Sequence, residues 1–273
     1  MLSTPLVKYV LTAARRDRLM LTLVLLVMMG AALSVFMGGS AVVEGEQFSI
    51  VFSAGGLRFL GVMGVVLFVS FYMRRTFEHK EVEFLLSRPV SRMTFLFSHA
   101  TAFVILAVMV AALVAVPLLV LGHPHPAGFV YWFFSIAVEY AIMAVAALFF
   151  SMVLSSAAGS ALAAFGFYVL ARMIGILLGI SAVPTESGIV FVLGRVMEFV
   201  SVIVPRLDLM GQTSWLVYGV SGAGENGLME QAGVYATTVS GLLGTGGFVA
   251  VQGVVFIALL LAAAAFDFVR RRF

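Results

Sequence analysis

The sequence contains no cysteine and few charged residues. Without cysteine the chain can form no disulfide framework, iron–sulfur cluster or cysteine-ligated zinc site, and it has no thiol nucleophile. Charged residues make up 11% of the chain, against about 25% in an ordinary soluble domain, whereas 62% of its 273 residues are apolar. This composition excludes a secreted domain, a disordered chain and a nucleic-acid-binding protein, and it indicates a membrane protein.

Lysine is scarce, because Lys8 and Lys80 are the only two in the chain. The phosphate-binding loop G-x-x-x-x-G-K-[ST] is missing, so we expect no nucleotide hydrolysis in this polypeptide. Histidine is also rare, and His123 and His125 fall in a proline-punctuated turn. That pattern favours a turn over a metal or haem site.

Six apolar stretches are long enough to cross the membrane as helices, which takes about 20 residues for about 30 Å of hydrocarbon. They lie at 19–37, 57–73, 93–121, 129–154, 160–180 and 247–269. Because these stretches are continuously apolar rather than alternating, they favour helices over barrel strands. The sequence predicts an all-α polytopic membrane protein, with residues 1–273 forming a single transmembrane domain.

The basic residues are distributed unevenly along the six predicted spans. Four of them, Arg58, Arg172, Arg195 and Arg206, lie elsewhere, and the other twelve fall on one side of the predicted topology. These are Lys8, Arg15, Arg16, Arg18, Arg74, Arg75, Lys80, Arg88, Arg92, Arg270, Arg271 and Arg272. The positive-inside rule therefore predicts that both termini lie in the cytoplasm.

The stretch at 188–204 is apolar for 17 residues but contains Arg195 and Glu198. If it crossed the membrane, the arginines at 270–272 would lie outside, against the charge bias. We expect a helix that re-enters or lies on the outer leaflet, within an outer segment at 182–246. Arg195 and Glu198 are expected to pair at i,i+3.

Residues 3–18 have the pattern of an amphipathic helix in the inner interface. Thr4 can cap its start, and Pro5 suits its first turn. The apolar stripe consists of Leu6, Tyr9, Val10 and Ala13, with basic residues on the other side. A solvated basic tail is the alternative interpretation, but a tail needs no such stripe.

Residues 74–92 form a charged loop that nevertheless carries a cluster of apolar side chains. These are Phe77, Phe84, Leu85 and Leu86. Pro89 disfavours helical geometry at Arg88, so we expect a helix that ends near Leu86 or Ser87. An exposed apolar cluster indicates a docking surface for a partner. Packing on lipid or on the chain's own spans is the alternative.

The run from Glu83 to Arg92, EFLLSRPVSR, resembles the signature of ABC type 2 exporter permeases. The resemblance is to the branch that includes the copper-enzyme maturation permease of nitrous oxide reductase assembly. That family has an N-terminal amphipathic helix, six spans, this motif in the first cytoplasmic loop and a long outer segment between spans five and six. The predicted layout of this chain is similar throughout.

The resemblance implies that the chain is the dimeric, non-enzymatic permease subunit of an ATP-driven exporter in the bacterial inner membrane. Residues 74–92 would then be the coupling loop received by a cytoplasmic ATPase subunit. The implied contact residues are Phe77, Glu78, Glu81, Glu83, Phe84, Leu85, Arg88 and Arg92. ATP and Mg²⁺ would be bound by that ATPase, with no cofactor in this chain. The other implied partners are a second permease copy or paralogue, membrane lipid and an outer-side accessory protein.

Two charged residues fall inside predicted spans at matching depths, Glu139 in the fourth and Arg172 in the fifth. A lone charge there is costly, so we expect an intramembrane ion pair between them. Such a pair either fixes the helix register or belongs to a transport path. Arg58, near the outer end of the second span, is expected to snorkel to the interface.

Two further functions remain open from the residues alone. An integral-membrane enzyme acting on a lipid or isoprenoid substrate would use Glu139 and Arg172 as site residues. A membrane assembly scaffold would need neither. The transported substrate does not follow from the sequence.

Overall fold

The computed structural model describes residues 2–40, 45–79, 91–121, 124–181, 188–213, 217 and 233–270. In these ranges the chain forms nine helices and no strand. They are α1 (Thr4–Arg16), α2 (Arg18–Ser40), α3 (Gly45–Glu78), α4 (Arg92–Leu121), α5 (Pro126–Val153), α6 (Ala157–Ser181), α7 (Gly188–Ile203), α8 (Leu207–Gln212) and α9 (Gly233–Arg270).

Six of these helices are long and apolar enough to cross a membrane. The candidate spans are Arg18–Ser40, Phe52–Glu78, Arg92–Val120, Pro126–Val153, Ala157–Leu178 and Gly246–Arg270. The prediction of an all-α polytopic membrane protein is confirmed. In α9, Gly244 has a φ of 71°, which only glycine adopts readily, and this residue separates the span from the helical turns before it.

The core of the bundle is α5, which is the most buried of the six spans. It packs against α3, α4, α6 and α9, while α2 lies at the periphery against α3. A helix surrounded by others is buried on all sides, so α5 carries apolar residues around its whole circumference.

The first and last described residues, Leu2 and Arg270, lie at one end of the bundle, called here the terminal end, and the opposite end is called the far end. The backbone N–H of Ser3 donates to Ser98 Oγ at 2.9 Å. Arg92 donates to the carbonyl of Val269 at 3.2 Å. The start of the chain, the start of α4 and the end of α9 therefore meet, as an even number of spans requires.

Helix α1 packs across the first turns of α4 and α2. Its buried residues are Leu6, Val10 and Ala14, whereas Tyr9 is 52% exposed. The predicted stripe is thus correct for Leu6 and Val10 but wrong for Tyr9, because α1 docks on a neighbouring helix rather than only on lipid. The predicted cap is also one residue off, since Ser3 occupies the N-cap position.

The chain between the fifth and sixth spans forms two different helices. Helix α7 packs against α6 and exposes apolar side chains, among them Val192, Phe199 and Val202. The predicted pair of Arg195 and Glu198 is present at 3.1 Å. After Pro205 the chain turns inward, so that α8 lies buried between α5 and α6, with Leu207 and Met210 fully inaccessible.

Three glycines mark close approaches between helices. A side chain at Gly61 would overlap the ring of Tyr140, and one at Gly64 would overlap Leu23. Gly175 faces Asp208 in the same manner. Small residues let helix backbones approach within a membrane, and these three glycines provide that space.

Candidate functional site

The terminal end holds the described part of the predicted ATPase-contacting set. Phe77 and Glu78 are the last residues of α3, and Arg92 is the first residue of α4. Phe77 is partly buried against the core, and Glu78 pairs with Arg74 at 2.8 Å. The other predicted contact residues, Glu81, Glu83, Phe84, Leu85 and Arg88, lie outside the described residues.

Both helix ends that flank residues 80–90 are tied to the rest of the bundle. Near the end of α3, Arg75 pairs with Asp17 at the junction of α1 and α2, with 2.8 Å between Nη2 and Oδ2. At the start of α4, Arg92 donates to the carbonyls of Phe268 and Val269, which end α9. Three other elements, α1, α2 and α9, therefore contact these two helix ends.

A second polar cluster is buried toward the far end and begins with an ion pair between Arg58 and Glu139. Both side chains are fully inaccessible, and Arg58 Nε also donates to Glu139 Oε2. The predicted pairing of Glu139 with Arg172 is wrong, as is the prediction that Arg58 snorkels. Helix α3 begins at Gly45, so Arg58 lies well inside the helix and not at its outer end.

Two hydroxyl groups complete the environment of the Arg58 guanidinium. Ser135 Oγ accepts from Nη2 at 2.9 Å, and Thr213 Oγ1 accepts from Nη1 at 3.3 Å. Both hydroxyls also donate to the carbonyl of Met210, at 3.0 and 2.6 Å. The ion pair is thereby connected to the C-terminal end of α8.

Arg172 has a different partner from the one predicted. Its Nη1 donates to the carbonyl of Leu207, in the first turn of α8, at 3.0 Å. Its guanidinium also lies 5.8 Å from the ring of Tyr168. The space for this contact exists because Gly211 has no side chain at that point. Arg172 therefore holds α8 against α6.

Arg206 is the third arginine of this far-end cluster and forms the turn that leads into α8. It is 1% exposed, and its Nε and Nη2 donate to the two carboxylate oxygens of Asp208 at 3.0 and 2.8 Å. Its backbone N–H donates to Gln252 Oε1 in α9 at 3.0 Å. A bidentate pair of this kind fixes the geometry of the turn.

The far-end network therefore joins α8 to four spans, namely α3, α5, α6 and α9. Sequence reasoning missed Arg58, Ser135, Arg206, Thr213 and Gln252 as members of it. A usable signal existed for Arg206, because a charged residue follows a proline inside an apolar stretch. Ser135 and Gln252 carry no such signal, since single polar residues are common in spans.

The described residues contain no group of three His, Asp or Glu that could hold a metal ion. His125 caps α5 by accepting from the backbone N–H of Gly128 at 3.5 Å, and His99 hydrogen-bonds the carbonyl of Phe95 at 2.9 Å. His123 lies outside the described residues. His99 and His125 thus have structural roles in the helices that carry them, whereas His79 follows the end of α3.

The fold and the two clusters define the class of this protein as a multi-pass α-helical membrane protein with its termini at one end. No protein-family model matches the chain, and no curated protein matches it.

Proposed function

We propose that this chain is the membrane-spanning permease subunit of an ATP-driven ABC exporter, working as a dimer with a separate cytoplasmic ATPase. The observation that carries the proposal is the fixation of both helix ends that flank residues 80–90. The similarity of residues 83–92 to the permease signature supports the same conclusion.

The contacts at these helix ends suit a loop that receives force. A displacement of residues 80–90 acts directly on α3 and α4, which flank them. It reaches α1 and α2 through the Arg75–Asp17 pair, and α9 through Arg92. Helix α1 is packed on α4 beside this point. Packed helices transmit such a displacement as rigid bodies, because close-packed interiors do not deform continuously.

The far-end network supplies the contacts that change when the helices rearrange during transport. Helix α8 is held by side chains from different spans, so a relative movement of α3, α5 and α6 changes its contacts. Coupling between the two ends then needs only a bundle with two discrete arrangements. ATP and Mg²⁺ belong to the partner, since this chain lacks the phosphate-binding loop.

Co-purification from the native membrane tests the proposal. The tagged parent chain is expected to bring down a subunit with the phosphate-binding loop. The double variant Phe84→Asp/Leu85→Asp is expected to lose that subunit while still inserting, because two charges replace the apolar contact. The matched control is Arg195→Ala/Glu198→Ala at the far end, which should retain the ATPase.

Three outcomes would contradict the proposal. ATPase binding that is unchanged by Phe84→Asp/Leu85→Asp would remove the coupling role of the loop. A parent chain that brings down no ATPase would remove the exporter assignment. Turnover of a lipid or isoprenoid substrate by the isolated chain would favour the membrane-enzyme alternative instead.

A further inference from the structure

A cavity of about 700 Å³ opens at the terminal end of the bundle. Its walls come from the start of α2, the last turns of α3 and the turn between α5 and α6. These elements belong to three neighbouring spans, so the cavity lies where the membrane meets the aqueous phase. The far-end network does not contribute to it.

The cavity is rich in hydrogen-bond donors. Arg74 uses its Nε for Glu78, and Arg75 uses its Nη2 for Asp17, both at 2.8 Å. A guanidinium carries five N–H donors, so each arginine retains several for a ligand. His79 adds a ring nitrogen, and the turn between α5 and α6 adds two serine hydroxyls.

The start of α6 also borders the cavity, through Ala157 and Ala158. Backbone N–H groups in the first turn of a helix have no intrahelical acceptor, and the 25-residue helix places the positive end of its dipole there. This contribution has the same sign as that of the arginines. The combined donor set suits an oxyanion, and phosphate oxygens are its natural acceptors.

The charges on the cavity walls limit which phosphate fits. Arg74 and Arg75 are balanced by Glu78 and Asp17, so these two ion pairs add no net charge to the walls. A polyanion such as a nucleoside triphosphate would be repelled by the two carboxylates. A phosphodiester carries a single negative charge and several acceptor oxygens. It therefore suits a cavity that offers many hydrogen-bond donors but whose ion pairs carry no net charge.

The apolar part of the cavity wall favours a phosphodiester that belongs to a lipid over one that is free in water. Leu19 and Phe71 line the cavity and are 36% and 47% exposed on adjacent spans. They offer a surface for an acyl chain directly beside the donors. We infer that this cavity binds the phosphodiester headgroup of a membrane phospholipid, with the phosphate between Arg74, Arg75 and the start of α6.

Native mass spectrometry of the full chain in detergent, with added phosphatidylglycerol, tests this site. The variant Arg74→Ala/Arg75→Ala is expected to raise the apparent Kd about tenfold, because charge-assisted hydrogen bonds are lost. The control Arg15→Ala/Arg16→Ala removes the same charge from α1 at the same end. It should leave the apparent Kd within about twofold of the parent.

A second variant guards against misfolding when the Asp17 ion pair is lost. Ser155 is exposed, so Ser155→Trp fills the cavity and leaves both ion pairs in place. We expect it to weaken phosphatidylglycerol binding as well. Diacylglycerol, which lacks the phosphate, should bind no better to the parent than to Arg74→Ala/Arg75→Ala.

Four results would overturn the lipid site. They are unchanged phosphatidylglycerol binding by both cavity variants, an equal loss in the Arg15→Ala/Arg16→Ala control, and tight binding of diacylglycerol. The fourth is displacement of the lipid by millimolar inorganic phosphate, which would assign the cavity to free phosphate. None of these measurements depends on an ATPase, so they are separate from the test of the exporter proposal.

Discussion

Arg58 is stable in the middle of the bundle because oxygen atoms surround its guanidinium. Glu139 neutralises its charge, and the hydroxyls of Ser135 and Thr213 accept two of its remaining hydrogen bonds. Removing one partner of such a pair leaves a buried charge, which costs more than the pair contributes. The contribution of Arg58 to the free energy of unfolding therefore cannot be separated from that of Glu139.

A double-mutant cycle on this pair should be strongly non-additive. Arg58→Met and Glu139→Leu are each expected to destabilise the protein by about 3–5 kcal/mol, because each leaves an uncompensated buried charge. The double variant is expected to recover more than half of that loss, since both charges are gone. Thermal unfolding in detergent measures all three. Additive losses in the double variant would contradict the pairing.

Gly61 illustrates the same dependence on neighbours for an uncharged residue. Gly61→Ala is expected to destabilise the protein by about 1–3 kcal/mol, because the new methyl group overlaps the Tyr140 ring. That displacement also disturbs the hydrogen bond from Tyr140 to the Arg58 carbonyl, which measures 2.9 Å.

The matched control is Gly55→Ala in the same helix, since no heavy atom lies within 4 Å of the added carbon. It should change stability by less than about 1 kcal/mol and in the favourable direction. The same unfolding assay compares the two variants. Equal effects of the two substitutions would show that helix propensity, rather than packing against Tyr140, determines the stability of these variants.

At the scale of elements, α7 and α8 differ although they follow one another in the chain. Helix α7 exposes apolar side chains on the outside of the bundle, whereas α8 is buried and satisfied by polar contacts. Six residues are too few for an independently stable helix. Helix α8 is therefore held in place by its neighbours, and Arg172 supplies one of the anchoring hydrogen bonds.

Loss of the Arg172 anchor should expose α8 to water. A cysteine placed at Leu209, which is 7% exposed, gives a single reporter in a chain without natural cysteine. We expect Leu209→Cys to react slowly with a water-soluble maleimide, and faster when Arg172→Met is added. Arg195→Met on α7 is the control and should leave the rate unchanged. Equal rates in all three proteins would contradict the anchoring role.

At the scale of the whole molecule, charge distinguishes the two ends of the bundle. The described basic residues outside the far-end network and α7 all lie at the terminal end. There Arg18 and Arg92 begin spans, Arg270 ends one, and Arg75 lies in the last turn of α3. Positively charged loops are retained in the cytoplasm. The positive-inside rule therefore predicts that the terminal end lies in the cytoplasm, and this prediction rests on the charge distribution and not on the packing.

Single cysteines in the cysteine-free chain test this orientation. His79→Cys and Ser155→Cys lie at the terminal end, and Glu198→Cys lies on α7. In intact cells a membrane-impermeant maleimide is expected to label only Glu198→Cys, with the other two labelled after permeabilisation. Permeabilised cells control for accessibility. The reverse pattern would place the termini outside.

Sequence reasoning predicted the elements well and the contacts between them poorly. The six candidate spans, the amphipathic helix α1 and the Arg195–Glu198 pair all follow from local patterns of sequence. The partner of Glu139 does not follow from a local pattern. It depends on how α3 and α5 are rotated about their axes, and Arg58 and Glu139 are separated by 81 residues.

The sequence by itself determined that this is a membrane protein, how many helices are long and apolar enough to cross the membrane, and at which end the basic residues lie. Those properties follow from transfer free energies that are summed along the chain. Only the tertiary structure decided that α8 turns back into the bundle, that Arg58 pairs with Glu139, and that a donor-lined cavity forms beside Arg74 and Arg75. These outcomes depend on which buried polar groups pair across helices, and the sequence of a single helix does not specify that pairing.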